Sequence, residues 1–166
     1  YRRQKLGQKI FYFNPFSENT HRWNPLSYIA KDPHFWDSDL RALAAIIYKK
    51  DAKDNPFWPD SARNLFVGLG LLLMETPMLP RTIGEMLRQA SGKGMALKDY
   101  FEHVIKVRGE SEKPLSDACV DCLNRFLSNP DDTRNNIVSS FTAPLALWGN
   151  PVVDKATSAD DFCHCS

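Results

Sequence analysis

The chain carries almost no net charge: 21 Lys and Arg stand against 20 Asp and Glu in 166 residues, a formal +1. That balance excludes the bulk basic field by which proteins hold phosphate backbones through counterion release, and it disfavours generic nucleic-acid binding. A long apolar run is also missing. The longest, "LFVGLGLLLM" from Leu65 to Met74, has ten residues, well short of the ~20 that a membrane-spanning helix needs, and it reads as a buried core helix. No charged segment followed by an apolar stretch and a small-residue cleavage site opens the sequence. It starts "YRRQKLGQ" without a Met, which leads us to expect a piece of a larger protein. There is no repeat at a fixed period and no low-complexity segment.

A catalytic set is absent as well. The four histidines, His21, His34, His103 and His164, stand in no H-x-x-E-H, H-E-x-x-H or G-x-S-x-G context. No pair of carboxylates sits in an apolar setting that would drive two pKa values apart for acid and base roles. "SGKG" fails as a phosphate loop, because Leu87 stands where the first Gly should be and Gly94 follows Lys93. "GLGLLL" has Gly68 and Gly70 but Leu73 in place of a third glycine, and no strand before it. The first reads as a helix cap and the second as close packing on a central helix. We expect no enzyme activity from this segment and no cofactor.

Cysteine is scarce, but its four copies are suggestively placed: "CVDC" at Cys119 and Cys122, then "CHC" around Cys163, His164 and Cys165. Four such ligands would build a tetrahedral zinc site. Against that, Cys119 and Cys122 fall in register with Leu115 and Phe126 on the inward face of a helix, where a free cysteine acts as a small hydrophobe. The other pair lies in the last four residues, a poor scaffold for fixed ligand geometry. Core packing with a loose tail is the expectation, and a core of this size needs no disulfide staples.

What is present is helix. "DPHFWDSDLRALAAIIYKK" offers Asp37 or Ser38 as an N-cap, with Leu40, Leu43, Ala44 and Ile47 at helical spacing, for a helix of about Ser38 to Lys49. Pro59 and Asp60 suit the first turn of the next, which runs to about Glu75 and is apolar nearly all round. Thr82 with Glu85 forms a capping box for a helix of about Ile83 to Ala90, closed by a glycine cap in "SGKG". Leu97, Tyr100, Phe101, Val104 and Ile105 set the inner face of a fourth. A fifth, about Leu115 to Leu127, turns Ala118, Cys119, Cys122, Leu123 and Phe126 inward. The sixth carries Ile137, Val138, Phe141, Leu145 and Trp148, with a kink expected at Pro144, and "NPVVDKATSADDF" adds one short turn. The pattern is all-α, a bundle of six to seven helices with its core over about 33 to 150. One stretch does not fit. "KIFYFNPF", Lys9 to Phe16, alternates like a strand and has no second strand to pair with, while "HRWNPLSY" should anchor on the bundle through Trp23 and Leu26.

Taken in order, "LGQKIFYFNPFSENTHRWNPLSYI", "FWPDSARNLFVGLGLLLMETP" and "LSDACVDCLNRFLSNPDDTRNNIVSSFTAPLALWGNPVVDKATSADDF" resemble the TraG-like type IV secretion coupling proteins, from about Leu6 to Phe162. Such proteins are membrane-anchored, hexameric ATPases that recruit substrates to a secretion channel, with an all-α domain inserted into a RecA-like motor. The resemblance implies an extended stub of the motor at 1–30, a substrate-recruiting all-α domain at 31–160 and a flexible tail at 161–166. Walker A and Walker B lie outside this segment in the family, so no hydrolytic role carries over to any residue here. Where the family continues towards the motor sheet this chain ends in "CHCS", and no role is assigned to Cys163, His164 or Cys165.

The resemblance also implies partners: secreted effector proteins or their C-terminal signal domains, or a relaxase with its DNA in a conjugative system. The place of work would be the cytoplasmic side of the bacterial inner membrane, with the parent a hexamer and the domain alone a monomer without direct membrane contact. Near-zero charge favours a protein cargo over bare DNA. Two surfaces are candidates for holding it. The run "KDYFEHVIKVRGESEK" offers Tyr100, His103, Lys106 and Arg108, because aromatic residues and Arg are enriched at interfaces. Trp58, with Phe57 and Trp36, flanks loops, where packing is the competing explanation.

Overall fold

The computed structural model describes residues 14, 16, 17 and 22–159. Among them are seven α-helices: α1 (Trp36–Ile47), α2 (Phe57–Met74), α3 (Ile83–Ala90), α4 (Leu97–Gly109), α5 (Asp117–Leu127), α6 (Asp131–Thr142) and α7 (Pro151–Ala156). Short 3₁₀ turns at Pro25–Tyr28, Pro33–Phe35, Gly92–Gly94 and Ala143–Gly149 join or precede them, and no strand occurs among the described residues. The expected strand at Lys9 to Phe16 falls almost wholly outside those residues. At its end, the Phe16 and Ser17 amides bond back to Asn14 at 3.1 and 3.0 Å.

The helix that is apolar nearly all round is the one the others pack on. Every residue of α2 from Asn64 to Met74 is buried, and α1, α3, α5 and α6 all lie against it. Its two glycines let neighbours come close. A Cβ on Gly70 would sit 2.5 Å from Leu40 of α1, and one on Gly68 would sit 3.0 Å from Cys122 of α5, so these positions set the spacing of two helix pairs. Tyr48, just after α1, completes the core between Phe66 and Phe141 and donates its hydroxyl to the Phe141 carbonyl at 2.7 Å.

Several ends differ from expectation for local reasons. The helix α1 begins at Trp36 rather than Ser38, because the turn Pro33–Phe35, capped by Asp32, feeds straight into it. Asp37 and Asp39 therefore sit in its first turn, where carboxylates favour the helix dipole. Thr82 does accept from the Glu85 amide at 3.1 Å, but the Glu85 side chain turns away to other partners, so the capping box is half made. Beyond Thr142 the chain tightens into the 3₁₀ turn Ala143–Gly149, with Pro144 inside it, instead of continuing as a kinked α-helix. Ala118 is exposed, while Cys119, Cys122, Leu123 and Phe126 face the core as expected. Leu26 and Ile29 also belong to the core cluster, so the packed body reaches into the first 30 residues. The Trp23 amide donates to the Ala156 carbonyl at 2.8 Å and the Asn24 side-chain amide to Arg81 O at 2.8 Å. The segment around Trp23 and Leu26 is thus anchored on both α7 and the entry to α3.

Candidate docking surfaces

The helix α4 is the least embedded of the longer helices. Of its 13 residues Phe101 alone is fully buried, and it stacks edge-on against Phe126 of α5. The four predicted residues of this helix have different fates. Tyr100 is half-buried and hydrogen-bonds Gln89 of α3. His103 and Lys106 are exposed, beside Glu102 and a Val107 that is 48% exposed. Arg108 is engaged internally. Its Nη1 donates to Thr76 Oγ1 at 2.7 Å and its Nη2 to the Glu75 carbonyl at 3.0 Å, while Nε reaches the Lys113 carbonyl at 3.1 Å. It clamps the exit of α4 onto the end of α2. The outward face of α4 is therefore Glu102, His103, Lys106 and Val107, a mixed-charge ridge with one apolar residue on it.

Trp58 lies on a different element, at the start of α2. It is half-buried, packs against the core cluster and meets the Phe57 ring edge-on at 4.9 Å. Phe57 is the exposed member of the pair, at 40%. Trp36 packs on the core as well, and its other face carries the Arg81 guanidinium at 5.5 Å.

The cysteines of "CVDC" are core residues. Cys119 is inaccessible and its thiol meets the Gly68 carbonyl at 3.5 Å. Burial pushes the Cys119 thiol well above its ordinary pKa, and burial likewise raises Cys122. Both thiols are packed in the core, and no cluster of His, Cys, Asp and Glu suited to a metal occurs among the described residues. Cys163, His164 and Cys165 lie outside the described residues.

One well-connected polar group is marked by the sequence only as a cap. Glu85, buried on α3, accepts from Arg88 at 2.6 Å, Gln89 at 2.8 Å and Lys93 at 3.0 Å. Arg88 passes the link to Asp154 of α7 at 2.9 Å, and Gln89 passes it to Tyr100 of α4. Burial alone pushes the Glu85 carboxyl up, yet the bonds from Arg88, Gln89 and Lys93 outweigh it and hold the group below its usual range. Lys93 reaches Glu85 from a left-handed backbone, φ 51°, between Gly92 and Gly94 at φ 76° and 90°. The glycine cap of "SGKG" is thus also the turn that delivers a counter-charge. This hub ties α3, α4 and α7 together.

No described helix is long and apolar enough to cross a membrane. Residues 1–164 match the family described as Type IV secretory system Conjugative DNA transfer. Among curated relatives, the chain is 29% identical over 170 residues to Protein VirD4 of Rhizobium rhizogenes, covering 96% of this chain and 23% of that protein. It is 30% identical over 174 residues to Protein VirD4 of Rhizobium radiobacter, covering 96% and 22%. Conjugal transfer protein TraG of Escherichia coli is 25% identical over 174 residues, covering 98% and 26%. The chain thus spans about a quarter of the length of these relatives. The ordered motifs, the all-α bundle and a match over nearly every residue agree: this chain belongs to the type IV secretory system conjugative DNA transfer family.

Proposed function

We propose that this chain is the all-α, cargo-docking part of a type IV secretion coupling protein, binding secreted proteins or their C-terminal signal domains for transfer by the parent. The observation that carries the reading is the character of α4: a 13-residue helix with one fully buried side chain, presenting Glu102, His103, Lys106 and Val107 on its outer face. A bundle stabilised around α2 needs little from that face, which leaves it available to a partner. Interleaved charges of both signs suit a protein surface, since complementarity there selects partners and sets register. In this reading Tyr100 and Arg108 act from below, holding α4 in place through Gln89 and the end of α2, and Trp58 lies outside the ridge. ATP hydrolysis, hexamer formation and attachment at the cytoplasmic side of the inner membrane belong to the rest of the parent, with the residues before Trp23 leading back to its motor domain and the packed body from Trp23 onward forming the docking part.

A second reading, contact with DNA or a relaxase complex, is favoured by one observation, the family's description as conjugative DNA transfer. A titration with duplex DNA at two salt concentrations separates the two. Phosphate contacts make affinity fall steeply with salt. We expect weak, strongly salt-dependent DNA binding that a Lys106→Glu, His103→Glu pair barely alters, and effector-domain binding that the same pair weakens about tenfold or more. Tight DNA binding abolished by that pair would reverse the assignment.

A further inference from the structure

On the side formed by α1, α2 and α5, three guanidinium groups converge. Arg41 of α1, Arg63 of α2 and Arg125 of α5 line a cleft of about 440 Å³ together with Asp60, Asn64 and Val67. The bonds these arginines make are few for groups with five donors each. Arg41 Nε pairs with Asp37 at 2.8 Å and the side chain also meets the Cys122 thiol, Arg63 caps the end of α1 at the Tyr48 carbonyl (2.7 Å) and Ala45 carbonyl (3.4 Å), and Arg125 reaches Asn64 Oδ1 at 3.4 Å. The carboxylate that lines the cleft, Asp60, is already held by Lys50 at 2.6 Å, as Asp37 is by Arg41. Asn64, buried and fixed by its bond to the Cys122 carbonyl at 2.9 Å, forms the floor.

The cleft does not end there. Asp60, Asn64 and Arg125 also line a second hollow of about 310 Å³, together with Phe57, Phe126 and Ile137. A site rich in guanidinium donors therefore adjoins an aromatic one across the shared Arg125, and the Phe57 ring that lines it is exposed. From this juxtaposition we infer that the groove binds an acidic peptide segment of a partner protein. A Glu or Asp carboxylate would enter the Arg41, Arg63 and Arg125 cleft and a neighbouring aromatic or aliphatic side chain the Phe57 hollow. Planar guanidinium groups suit carboxylates through paired hydrogen bonds, and an apolar pocket beside them supplies the anchor. A continuous phosphate backbone fits less well, because Asp60 lies at the junction of the two hollows and Asp131 and Asp132 follow on the neighbouring helix. The groove is distinct from the α4 ridge, so it stands whether or not cargo docks on that ridge, although a docked cargo is one natural source of such a segment.

The test uses a fluorescein-labelled, end-blocked peptide with one Phe flanked on either side by paired Glu, and its Gln counterpart, titrated against the whole chain. The Glu peptide should bind, with the Gln peptide weaker by at least about tenfold. Arg125→Glu should weaken the Glu peptide by about tenfold or more, and Phe57→Ala should weaken both peptides. Arg125 and Phe57 are exposed and make little of the core, and equal melting temperatures for both variants would verify the fold. Equal binding of the two peptides, or indifference to Arg125→Glu, overturns the inference. So does a duplex DNA probe that binds through Arg125 while the Glu peptide does not. Loss of effector-domain binding by α4 variants, with peptide binding intact, would leave this groove standing and concern the docking ridge alone.

Discussion

Gly84 gives the sharpest quantitative test of how α7 is held. It sits at the second position of α3 in ordinary helical geometry, so alanine there should be favoured over glycine by about 1 kcal/mol on helix propensity. The structure predicts the opposite. A Cβ at Gly84 would fall far inside van der Waals contact distance of Asp154 Oδ1 and 2.5 Å from its Cγ, so the Asp154 side chain has to leave. Its departure breaks the bond from Arg88 and levers on α7, whose Val153 and Ala156 are buried. The ion pair is partly exposed and contributes about 0–1 kcal/mol. Undocking Val153 costs roughly 1.5–3 kcal/mol and the Ala156 methyl about 0.8. Set against the propensity gain, Gly84→Ala should destabilise by about 2 kcal/mol, a fall in Tm of about 4–8 °C. The decisive comparison is the same substitution in an Asp154→Ala background. With the obstructing carboxylate gone, Gly84→Ala should stabilise by about 1 kcal/mol, so the effect changes sign, a coupling of about 3 kcal/mol. Urea unfolding of the four proteins measures it. An effect of the same sign in both backgrounds would show that Asp154 does not pack on Gly84 and that α7 is seated differently.

Other consequences follow from the same contacts. Because the Glu85 carboxyl is held below its ordinary range in the folded chain, it adds stability above its unfolded value, near ~4.3, and loses it as the pH falls through the lower folded value. Glu85→Gln should cost about 2 kcal/mol at pH 7 and flatten the loss of stability between about pH 5 and 3, which unfolding curves at several pH values would reveal. Cys119 and Cys122 are buried with raised pKa values, so a thiol reagent should label them only as the chain unfolds; rapid labelling of both at pH 8 would contradict the packing described. Tyr48→Phe leaves the buried Phe141 carbonyl without its 2.7 Å partner and should cost about 1–2 kcal/mol by thermal melting, with no effect on cargo binding.

The helices were legible because their signals are local. The period of α2, the Thr82 cap and the glycines of "SGKG" each carry their meaning within a few residues, and α3 runs over the expected Ile83 to Ala90. The start of α1 was misplaced because Asp37 and Ser38 look like caps in isolation, while a proline turn two residues upstream already supplied the helical direction. The role of Glu85 was half visible: its position relative to Thr82 announces a cap, but its partners Lys93 and Arg88 are chosen by burial and by a left-handed turn. Arg108 looked like an interface residue since its destination, the end of α2, lies 32 and 33 positions away. The same distance in sequence hid the groove. Arg41, Arg63 and Arg125 come from three helices, and nothing in their separate surroundings says that they meet. Phe57 and Trp58 are adjacent aromatics in the sequence, and only the fold shows which ring turns outward.

The central claim, that this all-α body docks protein cargo, is tested most directly by mapping backbone amide shifts of the labelled chain against C-terminal signal domains of candidate effectors encoded with the same secretion system. The account predicts a contiguous perturbed surface centred on Glu102, His103, Lys106 and Val107 of α4, lost on Lys106→Glu. Perturbations scattered over the bundle, or none for any candidate at concentrations where the parent protein binds them, would contradict it.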